Sequence, residues 1–206
     1  MPTYKELFEE CERKTGYITA GDDAQFKVVD GILYFQQSKG KEDWKNNLDF
    51  FPKGFRSPYK DMKERWLVHE GFLKVWKSIE DEVTELFPSI TGIVGYSHGG
   101  PLACFAHEKY LYMMKKSPDR TVVFGCPPFL FFPSASIKER FATVERIRNK
   151  GDVVAKLPTL FGLRHCCGAV VLECGSPQKP SNRNWLYWLS GHSPEEYLTR
   201  LSVVSR

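Results

Sequence analysis

Ile90-Thr91-Gly92-Ile93-Val94-Gly95-Tyr96-Ser97-His98-Gly99-Gly100-Pro101-Leu102-Ala103 is the stretch on which the fold turns. The apolar run from Ile90 to Tyr96 predicts a buried strand. Leu102 to Met114 predicts a helix, with Pro101 at or near its first turn, where a missing N–H costs little. Between them, Gly95-Tyr96-Ser97-His98-Gly99 must turn tightly, and side chains at the two glycine positions would collide with neighbouring backbone. Strand, sharp turn and helix together form the setting of a nucleophile elbow. The helix N-terminus below Ser97 favours negative charge developing there. A Gly-x-Ser-x-Gly motif arises by chance in roughly 0.1 copies in a chain of this length and composition, so the flanking elements carry the weight. The same glycines could serve a tight turn in a Rossmann-like fold. A nucleotide site fits poorly, because Gly-x-Gly-x-x-Gly is missing and no lysine follows as a P-loop requires.

Outward from the elbow, strands and helices alternate. Tyr4 to Lys14 predicts an amphipathic helix with Leu7, Phe8 and Cys11 on one face. Gln25 to Val29 and Ile32 to Phe35 flank Asp30-Gly31, a strong two-residue hairpin signal, because type I′ turns need positive φ at both central positions. The second of these runs is apolar throughout, as in a strand covered on both faces. Leu48 to Trp66 is aromatic and broken by Pro52, Gly54 and Pro58, which predicts an irregular excursion. His69 to Phe87 predicts a helix stopped by Pro88. Thr121 to Gly125, Val144 to Ile147 and Ala169 to Leu172 are three further short strands. The alternation predicts an α/β layer fold around a mostly parallel sheet. With 206 residues and no internal repeat or linker, residues 1–206 are expected to form one domain.

The chain is 42% hydrophobic and 14% aromatic, enough for a sizeable core. A net charge of +4, with acidic residues spread throughout, does not mark a nucleic-acid binder. The N-terminus lacks the basic and apolar regions of a signal peptide, and no run reaches the ~20 apolar residues that span a bilayer. A cytoplasmic protein is therefore expected. Six scattered cysteines then predict free thiols. His165-Cys166-Cys167 with Cys174 lacks metal-ligand spacing, and no metal or cofactor is expected.

A serine nucleophile needs a base, and the base needs a carboxylate to orient it. His107 lies in the helix running away from Ser97. His165 and His192 both follow Asp152, which ends the strand Val144 to Ile147 in the turn Asn149-Lys150-Gly151-Asp152. Of the two, His192 sits in a polar loop before a terminal helical segment, where catalytic groups of open sheets are found. On its own, Asp152 would pass for an ordinary turn or N-cap aspartate.

Several ordered motifs between about Gln25 and Tyr197 resemble those of the class 3 lipases, the family of the fungal triacylglycerol lipases. Phe35-Gln36-Gln37-Ser38 with Asp43-Trp44 and Asn47-Leu48 resembles its Phe-Arg-Gly-Thr/Ser and Asp-Trp segment. Val68-His69-Glu70-Gly71-Phe72 resembles Val-His-x-Gly-Phe. Gly95 to Ala103 resembles Gly-His-Ser-Leu-Gly-Gly-Ala-Leu-Ala. Val123-Phe124-Gly125-Cys126-Pro127 resembles Thr-Phe-Gly-x-Pro. Asn149 to Pro158 resembles the segment of the triad aspartate, and Gly191-His192 with Tyr197 resembles Asp-His-x-x-Tyr.

The resemblance implies an α/β-hydrolase fold and a triad of Ser97, Asp152 and His192. It implies an oxyanion hole from Ser38 and the backbone N–H of His98, and structural roles for His69 and His165. It implies hydrolysis of lipid or other acyl esters without metal or cofactor, with transient contact to a membrane or lipid surface. A phospholipase or a small-molecule acyl esterase is the alternative within that class, and a non-catalytic binding relative the alternative outside it. Gln36 and Gln37 replace the family's Arg and Gly, and His98 replaces an apolar residue. The chain is short for the family, so a reduced cover over the site is expected. Leu48 to Trp66, with Phe50, Phe51, Phe55, Tyr59 and Trp66, occupies the lid position.

Overall fold

The computed structural model describes residues 1–22, 24–36, 67–156, 162–173 and 191–204. Helix α1 (Tyr4–Glu12) starts at Thr3, whose hydroxyl accepts from the Glu6 amide while the Glu6 carboxylate accepts from the Thr3 amide. This reciprocal box satisfies two N–H groups that a helix start otherwise leaves open. The helix ends two residues before the expected Lys14. Lys27 supplies the physical reason, because its buried ammonium donates to the Glu10 and Arg13 carbonyls at 2.9 and 2.8 Å, and to the Glu10 carboxylate at 2.8 Å. A lysine capping the last carbonyls closes the helix there.

The chain then forms β1 (Ile18–Ala20), β2 (Ala24–Val29) and β3 (Ile32–Gln36). Asp30 and Gly31 have φ of 49° and 74°, and Val29 pairs with Ile32, so the two-residue hairpin forms as its sequence predicts. Later strands are β4 (Leu67–Val68), β5 (Gly92–Tyr96), β6 (Arg120–Phe124), β7 (Leu130–Phe131), β8 (Val144–Asn149), β9 (Leu163–Arg164) and β10 (Val170–Leu172). The helices between and after them are α2 (Glu70–Leu86), α3 (Gly99–Met114), α4 (Ala135–Arg140) and α5 (Pro194–Val204).

Among the described residues the main sheet has seven strands, in the order β1-β2-β3-β5-β6-β8-β10. From β3 to β10 each neighbouring pair is parallel, whereas β1 and β2 form an antiparallel margin. Parallel strands are covered on both faces, and every residue of β5 is buried. One face packs Trp76 and Ile79 of α2 and Leu102 and Phe105 of α3 against Leu33, Phe35, Ile93 and Val123. The other packs Leu7 and Phe8 of α1 and Tyr197 and Leu201 of α5 against Tyr34, Val94, Tyr96 and Phe124. Both chain ends thus share one layer beneath the sheet. Fully burying a residue such as Phe8 contributes about 1.5–3 kcal/mol, so α1 is integral to that layer.

A second sheet of three antiparallel strands, ordered β4-β7-β9, has no counterpart in the sequence reading. Two-residue strands are too short to show a period. Among the described residues no helix is long and apolar enough to cross a membrane. The five described cysteines are free thiols. Ser38, Cys174 and the aromatic stretch Leu48 to Trp66 lie outside the described residues.

Candidate active site

Strand β5 ends at Tyr96 and α3 begins at Gly99, leaving Ser97 and His98 to make the whole reversal. Ser97 has φ of 53°, in the left-handed region that a non-glycine residue adopts only under constraint. The two flanking glycines are what permit it. A Cβ on Gly95 would lie 2.3 Å from the Gly99 carbonyl oxygen, and one on Gly99 would lie 2.3 Å from the Phe35 carbonyl oxygen at the end of β3. Backbone therefore packs on backbone, and the elbow is seated against the end of β3. The Ser97 amide donates to the Phe124 carbonyl at 2.9 Å, and the Ser97 carbonyl accepts from Gly100 at 2.9 Å. Helix α3 starts three residues earlier than Leu102. Gly99 and Gly100 weaken the sequence signal, but the two-residue turn forces helical geometry immediately after His98.

The three residues expected to form a triad come from three separate places and meet. Ser97 is 1% exposed, Asp152 0% and His192 7%. The Ser97 hydroxyl donates to His192 Nε2 at 2.7 Å, and His192 Nδ1–H donates to Asp152 Oδ2 at 2.8 Å. Asp152 follows β8 after a short turn, and its Oδ1 accepts from the Ala155 amide at 3.1 Å. Its Oδ2 accepts a second bond, from the Tyr197 hydroxyl at 2.7 Å. Burial, then the negative charge of Asp152, pushes the Tyr197 phenol well above its ordinary range, so it stays a donor. Three donors thus converge on the Asp152 carboxylate, and the bond at Nδ1 turns the Nε2 side of the imidazole towards Ser97.

His192 precedes α5, whose first turn carries Glu195 and Glu196. Its loop is tied back to the sheet from two sides. Asn149 Nδ2 donates to the Gly191 carbonyl at 2.9 Å, and the Tyr96 hydroxyl donates to the His192 carbonyl. The Tyr96 ring also stacks on the imidazole, with centroids 5.3 Å apart and planes 22° from parallel. His98 is the N-cap of α3, which puts its main-chain N–H at the helix end where backbone N–H groups point outwards.

Residues 32–162 match the family model for lipase (class 3). The chain belongs to that family. Its strand order and helical layers are those of an α/β-hydrolase fold, shared with solved lipase structures. A fungal lipase in an inhibitor complex is 22% identical with a TM-score of 0.57, over 73% of this chain and 63% of that one. A Yarrowia lipolytica lipase is 19% identical with a TM-score of 0.53, over 73% of this chain and 62% of that one. A triacylglycerol lipase whose catalytic centre is a serine protease triad is 19% identical with a TM-score of 0.60, over 87% of this chain and 77% of that one. The chain thus spans less than two thirds of the length of the first two. A sequence search of curated proteins found no match.

The rings of the other histidines make different contacts in this member of the class 3 lipase family. His69 caps α2, with Nδ1 accepting from the Gly71 amide at 3.1 Å. His165 Nε2 meets the Ala155 carbonyl at 2.8 Å, and His107 joins Thr121 and the Arg140 carbonyl. Burial holds His98 and His165 neutral, each lowered to about 4. The His98 ring leans on Phe72 at 5.0 Å. Sequence reasoning did not assign work to Tyr96, Asn149 or Tyr197. Tyr197 does carry a signal, because a tyrosine five residues after His192 lands on the first turn of α5, facing Asp152. Tyr96 and Asn149 carry none, since their bonds exist only after β5, β8 and the His192 loop have come together.

Proposed function

We propose that the protein is a serine carboxylic-ester hydrolase acting on lipid or other acyl esters. The observation that carries this reading is the buried chain Ser97–His192–Asp152, at 2.7 and 2.8 Å, on the carboxyl edge of a parallel sheet in a member of the class 3 lipase family. A buried serine, histidine and aspartate joined in that order have little use in packing, and they perform acyl transfer directly. Ser97 Oγ attacks the acyl carbon as its proton passes to His192 Nε2. The imidazolium that forms is held by Asp152, whose charge is oriented by Tyr197 and the Ala155 amide. The tetrahedral oxyanion is received by the His98 main-chain N–H and, from the sequence resemblance, by Ser38. Collapse expels the alcohol, which takes its proton from His192. Water activated by the same imidazole then releases the acid and restores Ser97.

The apolar acyl chain and the polar leaving group define the substrate class, and a lipid surface would present it. Hydrolysis of nitrophenyl esters of increasing acyl length tests the reading. Wild-type protein should hydrolyse them, and folded Ser97→Ala and His192→Ala variants should be slower by several orders of magnitude. Hydrolysis by folded Ser97→Ala at the wild-type rate would refute it.

A further inference from the structure

We infer that Tyr96 is a positioning residue for the His192 base, acting through its hydroxyl on the loop and through its ring on the imidazole. The inference rests on the proposed function, because it concerns how that base is held.

The geometry allows Tyr96 two separate actions on one residue. Its hydroxyl donates to the His192 main-chain carbonyl, which fixes the backbone from which the imidazole projects. Its ring lies nearly parallel to the imidazole at 5.3 Å, which fixes the remaining rotation of the side chain. Burial, then the charges of Glu12 and Asp152, pushes the phenol well above its ordinary range, so the hydroxyl remains a donor. Tyr96 is itself held. Phe8 of α1 meets it edge-on at 5.1 Å, and Tyr197 meets it edge-on at 5.7 Å. Phe8 also stacks on Tyr197 at 5.3 Å. One aromatic cluster therefore supports both partners of Ser97, with Tyr96 behind the base and Tyr197 behind the acid.

The effect falls on the chemical step rather than on binding. Tyr96 is 5% exposed and packs on the α1 and α5 side of the sheet, so it belongs to the protein interior. Its aromatic face also discriminates between the two forms of the base. A ring face attracts a cation more than a neutral group, so it favours the imidazolium of the transition state over the resting imidazole. Tyr96 occupies the position before the nucleophile, where the family elbow quoted above has histidine. That residue is covalently next to Ser97, so one short segment carries the nucleophile and the group that aims its base.

The test compares full-length wild type with Tyr96→Phe and Tyr96→Leu. Phenylalanine keeps the ring and loses the hydroxyl anchor, whereas leucine loses both. On nitrophenyl butyrate, kcat per folded molecule should fall roughly tenfold in Tyr96→Phe and about 10²-fold or more in Tyr96→Leu, with KM within about twofold. Second-order labelling of Ser97 by a fluorophosphonate should slow in the same order. Solvent exchange of the His192 Nδ1–H proton, read by NMR, should be faster in Tyr96→Phe and faster again in Tyr96→Leu. A packing role alone would lower the melting temperature without this graded change in kcat and exchange.

Folded Tyr96→Leu with kcat and exchange within about twofold of wild type would overturn the inference. If the leucine variant fails to fold, Tyr96→Phe decides by the same limits. If wild type neither labels nor hydrolyses esters, the proposed function fails, and the exchange measurement still decides whether Tyr96 holds His192.

Discussion

Replacing Asp152 by asparagine exchanges one carboxylate oxygen of a fully buried side chain for NH₂ and removes its charge. Asp152 Oδ2 sits 2.8 Å from His192 Nδ1 and 2.7 Å from the Tyr197 hydroxyl. Two donors aimed at one oxygen suit a carboxylate and conflict with an amide NH₂ at that position. In the proposed mechanism His192 takes the Ser97 proton and gains a unit charge, whose attraction to Asp152 is about 4 kcal/mol at a separation of ~4 Å and an effective dielectric constant near 20. Losing that attraction alone slows the step by about 10³-fold. If the amide nitrogen faces Nδ1, the imidazole must carry its proton on Nε2 and can no longer accept from Ser97, which raises the loss towards about 10⁴-fold. The expected kcat of Asp152→Asn is therefore about 10³–10⁴ below wild type, with KM little changed. Nitrophenyl butyrate hydrolysis measures it, with the folded fraction taken from circular dichroism. A folded Asp152→Asn protein within about tenfold of wild type would mean instead that His192 works without the charge behind it.

Three further outcomes follow from the same geometry. Gly99→Ala should lose roughly 10²-fold in kcat through displacement of the elbow, since its Cβ would lie 2.3 Å from the Phe35 carbonyl; wild-type kcat would contradict the backbone-on-backbone packing. His165→Gln should stay active, and it should flatten the acid side of the melting curve. Burial lowers His165 to about 4 in the folded protein, so the unfolded chain binds the proton more readily. Its contribution is present above about pH 6.5 and is lost as the pH falls towards 4; parallel melting-temperature profiles for variant and wild type would contradict this. Ser38→Ala should lower kcat by roughly 10²–10³-fold with KM nearly unchanged if its hydroxyl serves the oxyanion; a loss within about twofold would leave the backbone donors alone in that role.

The parts of the fold that the sequence announces are those encoded by local rules. Asp30-Gly31 predicts its hairpin because positive φ is a property of those two residues, and the structure has it at both. The apolar run from Ile90 to Tyr96 predicts a buried strand, and β5 is buried throughout. Helix α3 begins at Gly99 rather than Leu102 because glycine and proline weaken a helical pattern that tertiary packing then imposes. The second sheet was illegible, since its two-residue strands pair only after Val68, Leu130 and Leu163 arrive from distant parts of the chain.

The candidate site divides in the same way. Ser97 was legible from its turn, whereas Asp152 and His192 needed the ordered motifs of a family. The contacts that aim them depend on contacts distant in sequence. Tyr96 reaches a carbonyl 96 residues away, and Tyr197 a carboxylate 45 residues away. No local pattern encodes such distances.

Activation of Ser97 by His192 and Asp152 should make its hydroxyl react with a fluorophosphonate. Wild-type protein is incubated with the probe and its intact mass and modified peptide are measured, beside Ser97→Ala and His192→Ala. One adduct per chain is expected, on the peptide containing Ser97, missing in Ser97→Ala and formed far more slowly in His192→Ala. Folded wild-type protein that takes up no probe, or an adduct that persists in Ser97→Ala, would contradict it.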